Sequence, residues 1–223
     1  CQTVENVNAA NMHQSHRKGR AEIGKIMAAY LSHPHRLYLA AFRDGSIKVG
    51  TTRGSSGNRR LIEQGAWRAT YVAEVEDGFF VRELEDEITA QLGLTQAVDT
   101  RRKILGHLHH LSDQQLTQSL SELSSETENL LRDHLGNRGS FIGEPWSNPM
   151  VDAEVWGDLA QYPGSMKEGA HELTIHSMVG RLAACHKTGF SDPFLVDMHS
   201  LLTLPLETGT FAVDELALQE SLF

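Results

Sequence analysis

Apolar residues along this chain recur with two different periods, and the switches between them mark out the elements. Ile23, Ile26, Met27 and Tyr30 fall at helical spacing and predict a helix over 19–32. Pro34 ends it, because a proline pushes the preceding residue out of the helical region. Residues 36–43 and 46–51 are short strand-like runs separated by Asp44-Gly45, a dipeptide that favours the tight turn of a hairpin. The Gly/Ser/Asn cluster at 54–58 reads as a loop, followed by a short helix that Gly65 terminates. Residues 70–76 form a third strand, rich in β-branched and aromatic side chains. In 79–93, Phe80, Leu84, Ile88 and Leu92 stand four apart, which gives a helix one apolar stripe and leaves Glu83, Asp86 and Glu87 elsewhere around it. The order is β-β-α-β-α, and the class it implies is α+β: a small mixed sheet flanked by helices.

Beyond that unit the pattern loosens. Leu116, Leu120, Leu123, Leu130 and Leu131 set among Ser, Gln and Glu make 103–135 helical, as a hairpin or a long arm that needs packing partners. Gly, Pro, Ser and Asn dominate 136–169, which reads as a linker held to a surface by Trp146 and Trp156. Strand-like runs at 172–186, 193–202 and 209–216 predict a small β-rich module at the end, fit for packing or self-association. The organisation expected is an arm over 1–33, a catalytic-sized unit over 34–103, a helical segment over 104–135, the linker, and the module over 170–223.

Charge adds one thing. The net charge of the 223 residues is −9, which argues against nonspecific coating of nucleic acid. Residues 1–70, however, carry 11 Lys and Arg against four Asp and Glu, so a front of +7 precedes a body of −16. Such asymmetry suggests a polyanion-facing front. There is no run of 18 apolar residues and no apolar leader core, and Cys1 and Cys185 are too few for a disulfide framework. A cytoplasmic protein with no membrane partner is expected.

The stretch LYLAAFRDGSIKVGTTRG, followed by RRLIEQGA and LEDEI, resembles the GIY-YIG nucleases over about 34–103. It is most similar to a bacterial group of GIY-YIG relatives of uncharacterised function that carry YLA, KVGxTR and QGA motifs behind a cysteine-rich N-terminal segment. On that resemblance Tyr38 takes the place of the first motif tyrosine and Gly50 that of the second motif's glycine. Lys48 stands where the second motif has tyrosine, Arg60 aligns with the helix arginine, and Glu85 with the metal-binding glutamate. Gln64 stands where many relatives have histidine or tyrosine.

The resemblance implies metal-dependent hydrolysis of phosphodiester bonds in DNA or RNA. Tyr38 would be the general base, Glu85 the ligand of a single Mg²⁺ or Mn²⁺, and Arg60 and Lys48 the stabilisers of phosphate charge. The chemistry suits these residue types: carboxylate oxygen is a hard ligand for Mg²⁺, and a guanidinium grips a phosphate through two hydrogen bonds. His35, Arg53, Arg59 and Gln64 are candidates for contacting substrate. Cys1, His13 and His16 offer three ligands of a structural Zn²⁺, with a fourth to be found elsewhere; the same stretch also reads as a basic arm for phosphate contacts. The competing class is a non-catalytic module that keeps the fold and binds nucleic acid or a protein partner.

Overall fold

The computed structural model describes residues 15–18, 22–207 and 209–210. Helix α1 spans Lys25–Leu31. It is shorter than the period suggests because Gly24, in extended backbone, caps it. Strands β1 (His35–Ala41) and β2 (Ile47–Arg53) form the expected antiparallel hairpin. Its connection is wider than the two-residue turn: the Phe42 amide donates to the Ser46 carbonyl at 3.0 Å, and the Gly45 amide to the Phe42 carbonyl at 2.9 Å. Gly45 takes φ of 83°, a conformation glycine adopts without strain. Helix α2 (Arg59–Gln64) follows and ends at Gly65 in left-handed backbone. Strand β3 (Arg68–Val75) then pairs with β1 on its other edge. Helix α3 (Phe80–Leu92) completes the β-β-α-β-α unit, burying Phe80, Leu84 and Ile88 as the stripe requires.

Alternation along β1 splits the core in two. Leu37, Leu39 and Ala41 face a large cluster shared with Leu84 and Ile88 of α3, while Tyr38 and Ala40 face a smaller one with Leu61 of α2 and Tyr71 of β3. A strand buried on both faces belongs in the middle of its sheet, and the strand order is β2-β1-β3-β4.

Strand β4 (Gly139–Ser147) is a departure from the sequence reading, which made 136–169 a linker. It pairs antiparallel with β3 from Arg68↔Ser147 to Val75↔Gly139. It carries no alternating apolar pattern because most of it is exposed at the sheet edge, where Pro145 is tolerated. The 103–135 segment resolves into two helices, α4 (Thr100–Leu108) and α5 (Asp113–Leu135). Ser112 and Gln115 form a reciprocal capping box at the start of α5. Rather than standing out as an arm, α5 lays Leu116, Leu120, Leu131 and Leu135 into the large core.

The expected β-rich module is a second sheet of order β5-β8-β7-β6, from β5 (Ala160–Gln161), β6 (Thr174–Val179), β7 (Leu182–His186) and β8 (Phe194–Asp197). Most of the strand-like run at 209–216 falls outside the described residues. Val179, Leu182 and Trp156 join the same large core as the first sheet. The protein is therefore α+β, with two mainly antiparallel sheets flanked by helices. Among the described residues no helix is long and apolar enough to cross a membrane.

One glycine gives a sharp test of how α4 is seated. A Cβ on Gly106 would run into the Asp44 backbone nitrogen and lie 2.8 Å from the Asp44 Cβ. Gly→Ala inside a helix ordinarily stabilises by about 1 kcal/mol. Here Gly106→Ala is expected to destabilise by roughly 1–3 kcal/mol, the cost of overpacking. Denaturant titration measures the sign, and a stabilised variant would mean that α4 does not sit against the hairpin loop.

Candidate active site

Strand register makes the first half of the site. Tyr38 of β1 lies directly opposite Gly50 of β2, and Lys48 opposite Ala40, so all project from one face of the hairpin. A Cβ on Gly50 would lie 2.5 Å from both Cζ and Oη of Tyr38, so the tyrosine ring crosses the space that only a glycine leaves open. Gly50→Ala should therefore displace Tyr38 and lower stability by roughly 1–3 kcal/mol. An unchanged near-UV spectrum and melting temperature would contradict that packing.

Helices α2 and α3 supply the second half. Arg60 stands in the first turn of α2, and α3 packs beside β2 to bring up Glu85. His35, Tyr38, Lys48, Arg60 and Glu85 line a single cleft of about 380 Å³. Arg59 is also on its wall, paired with Glu63 at 2.6 Å. Tyr38, Lys48 and Glu85 are only 1%, 8% and 3% exposed, so the reactive groups form the floor.

Burial at the floor changes the acid–base properties of each group. It raises the pKa of Tyr38, against the opposing effects of a hydrogen bond from Gln64 and the charge of Arg60. The Gln64 amide Nε2 donates to the Tyr38 hydroxyl at 2.8 Å. Burial, helped by the charges of Arg60 and Lys103, lowers the Lys48 ammonium to about 8. Its Nζ donates to the Gln96 carbonyl at 3.2 Å. Glu85 is pushed up by burial, against Arg82, Lys48 and Arg60. The Arg82 guanidinium donates to Glu85 Oε2 at 3.2 Å. The direction at Tyr38 is the reverse of what a tyrosine base requires, whereas Lys48 comes within reach of neutral pH.

The other candidates are placed as follows. His35 lines the cleft, but its ring is held at the β1 end, with Nδ1 2.8 Å from the His33 carbonyl, and burial lowers its pKa. Arg53 does not line the cleft; its guanidinium lies 5.5 Å from the centre of the Tyr30 ring. Gln64 sits behind Tyr38. His16, offered as a zinc ligand, lies 2.9 Å from Asp86, which also takes Arg17 at 2.6 Å. Cys1 and His13 lie outside the described residues, and among those described no three His, Cys, Asp or Glu gather as a metal site. Sequence reading missed Arg82, Tyr30 and Gln96. Arg82 had a signal, three residues before Glu85 on the same helix; a backbone carbonyl such as that of Gln96 has none.

A divalent ion fits this floor in one way. Among the described residues Glu85 Oε1 has no hydrogen-bond donor, while Oε2 takes Arg82. One carboxylate oxygen, completed by water and substrate phosphate, is a usual Mg²⁺ arrangement. The surrounding Lys48, Arg60 and Arg82 oppose a dication until a phosphate arrives to offset them.

A protein-family model described as "Protein of unknown function (DUF2797)" matches residues 7–151, a span that ends just past β4 and so takes in the whole first sheet. No curated protein and no solved structure matches the chain.

Proposed function

Since the chain belongs to the DUF2797 family, whose function is unknown, its chemistry must be argued from the cleft, and we propose that it hydrolyses phosphodiester bonds in nucleic acid as a GIY-YIG-type nuclease. The observation that carries this reading is the convergence of Tyr38, Lys48, Arg60 and Glu85 on one cleft. The hairpin register puts Tyr38 and Lys48 on one face, and helices α2 and α3 bring Arg60 and Glu85 up to it. The motif resemblance over 34–103, which singled out these residues, supports the same reading.

Arg60 grips a phosphoryl oxygen and offsets the charge that gathers there as water attacks. Above about pH 8 the neutral Lys48 amine accepts the water's proton as the new P–O bond forms. The ester P–O bond breaks, and the leaving oxygen takes up a proton from solvent. Tyr38 keeps its proton, since burial disfavours the phenolate, and donates it as a hydrogen bond to the phosphate. Arg82 fixes the rotamer of Glu85 by its hydrogen bond. A Mg²⁺ or Mn²⁺ held by Glu85 with water and substrate phosphate would add Lewis-acid stabilisation.

The test is cleavage of labelled single-stranded DNA, duplex DNA and RNA with Mg²⁺ or Mn²⁺, beside Arg60→Ala. Cleavage that Arg60→Ala and chelation abolish is the expected result. Binding to an oligonucleotide without turnover would replace the reading by that of a non-catalytic module.

A further inference from the structure

Behind Tyr38, on the far side of Gln64, lies a second cavity of about 160 Å³ between α2, α4 and the β6–β7 turn. We infer that it is a binding site for a small free oxyanion of the phosphate type, held by Lys103, Arg181 and His107.

Two cations from different parts of the chain meet there. Lys103 on α4 makes no ion pair among the described residues; its Nζ donates only to the Gln64 backbone carbonyl, at 2.7 Å, and lies 4.3 Å from the Phe42 ring centre. Arg181, on the β6–β7 turn, lines the same cavity. Burial and then the charge of Arg181 bring the Lys103 ammonium down to about 8, against the opposing charge of Asp44. Of the nearby carboxylates, Glu63 is on the cavity wall and pairs with Arg59, Asp44 pairs with Arg102, and Asp197 takes Arg181 Nη2 at 2.6 Å, which leaves Arg181 Nε without a partner.

Three polar atoms on lining residues are buried without a hydrogen-bond partner: His107 Nδ1, Arg181 Nε and Gln64 Oε1. Native interiors leave few such atoms, and each one calls for a ligand or water. Burial lowers His107 to about 3, so the imidazole is neutral and can present one N–H. Lys103 Nζ, Arg181 Nε and the His107 N–H are donors that suit the oxygens of a tetrahedral oxyanion, and Gln64 Oε1, an acceptor, suits the proton of a monoprotonated phosphate. The volume, below the roughly 300 Å³ of a usual ligand pocket, suits a group the size of a phosphate better than a whole nucleotide.

The proposal is independent of the nuclease reading and has its own signal. The His107 ring lies 4.8 Å from that of Trp156 and 5.7 Å from that of Trp67, so tryptophan fluorescence reports on this cavity. Inorganic phosphate is titrated into the full chain at constant ionic strength, with fluorescence and melting temperature followed together. Wild type and Arg60→Ala are expected to give the same saturable change and a raised melting temperature. Lys103→Gln and Arg181→Gln should each weaken binding by ~10-fold or more, as loss of a charged hydrogen bond implies. A nucleoside monophosphate should leave the fluorescence unchanged in Arg60→Ala. The inference is overturned if Arg60→Ala removes the phosphate response, which would assign it to the cleft, or if both Gln variants, shown folded by circular dichroism, titrate like wild type. It is also overturned if wild type gives no saturable response, which would leave the cavity to water, or if the monophosphate binds as well as phosphate.

Discussion

Glu85→Gln is expected to lower phosphodiester cleavage by roughly 10²–10³-fold, the loss that follows when a preorganised group at the site of developing charge is removed. Gln keeps the shape of Glu and can still meet Arg82, but it has no charge to hold a divalent ion or to balance the three cations around it. Burial raises the Glu85 pKa even with Arg82 beside it, so the fold tolerates the neutral form, and Glu85→Gln should melt no lower than wild type near neutral pH. Glu85→Asp separates the effects: it keeps the charge, moves the carboxylate back, and should retain more cleavage than Glu85→Gln at equal folded fraction. If Glu85→Gln and wild type cleave alike at every metal concentration, Glu85 has no part in the chemistry.

Lys48→Met should act in opposite directions on stability and activity. The Lys48 ammonium falls from an ordinary 10.5 to about 8 because the fold desolvates it beside Arg60 and Lys103. The unfolded chain therefore binds more protons than the folded one between about pH 8 and 10.5, and stability rises with pH across that window. Below pH 8 both states are protonated and the penalty, roughly 3 kcal/mol, is present in full. Methionine fills the same space without charge, so the variant should melt higher than wild type at pH 7. At about 2–4 °C per kcal/mol for a chain of this size, the gain is easily measured. It should shrink as pH approaches 10.5. Cleavage by wild type should climb through pH 8 as the amine loses its proton, and Lys48→Met should lose that limb together with most of its rate. A wild-type rate that falls through pH 8 would instead make Lys48 a cationic phosphate contact. Lys103 titrates in the same range, so it is the difference between wild type and variant that isolates Lys48.

These predictions rest on features of unequal visibility in the sequence. The β-β-α-β-α order could be read because each of its elements carries its own period: β1 alternates between two cores, and α3 repeats every four residues. Tyr38, Gly50 and Lys48 could be placed on one face because the strand period and the hairpin fix register locally. Arg60 and Glu85 came from motif resemblance, and the fold brings them to the same cleft. Strand β4 could not be read, because an exposed edge strand has no apolar pattern to give it away and owes its existence to the β3 edge it pairs with. His16 makes a contact with Asp86, seventy residues away, that no spacing rule encodes.

What the sequence determined by itself was therefore local: element type, the hairpin, and the stripe of α3. Tertiary structure decided how the cleft side chains behave. Proton affinity depends on solvent exclusion and on charges brought close by folding, so that Tyr38 becomes harder to ionise and Lys48 easier to neutralise than their types suggest. It also decided which cations share a space, because Lys103 and Arg181, distant in the chain, face one cavity only after the second sheet packs against α2 and α4.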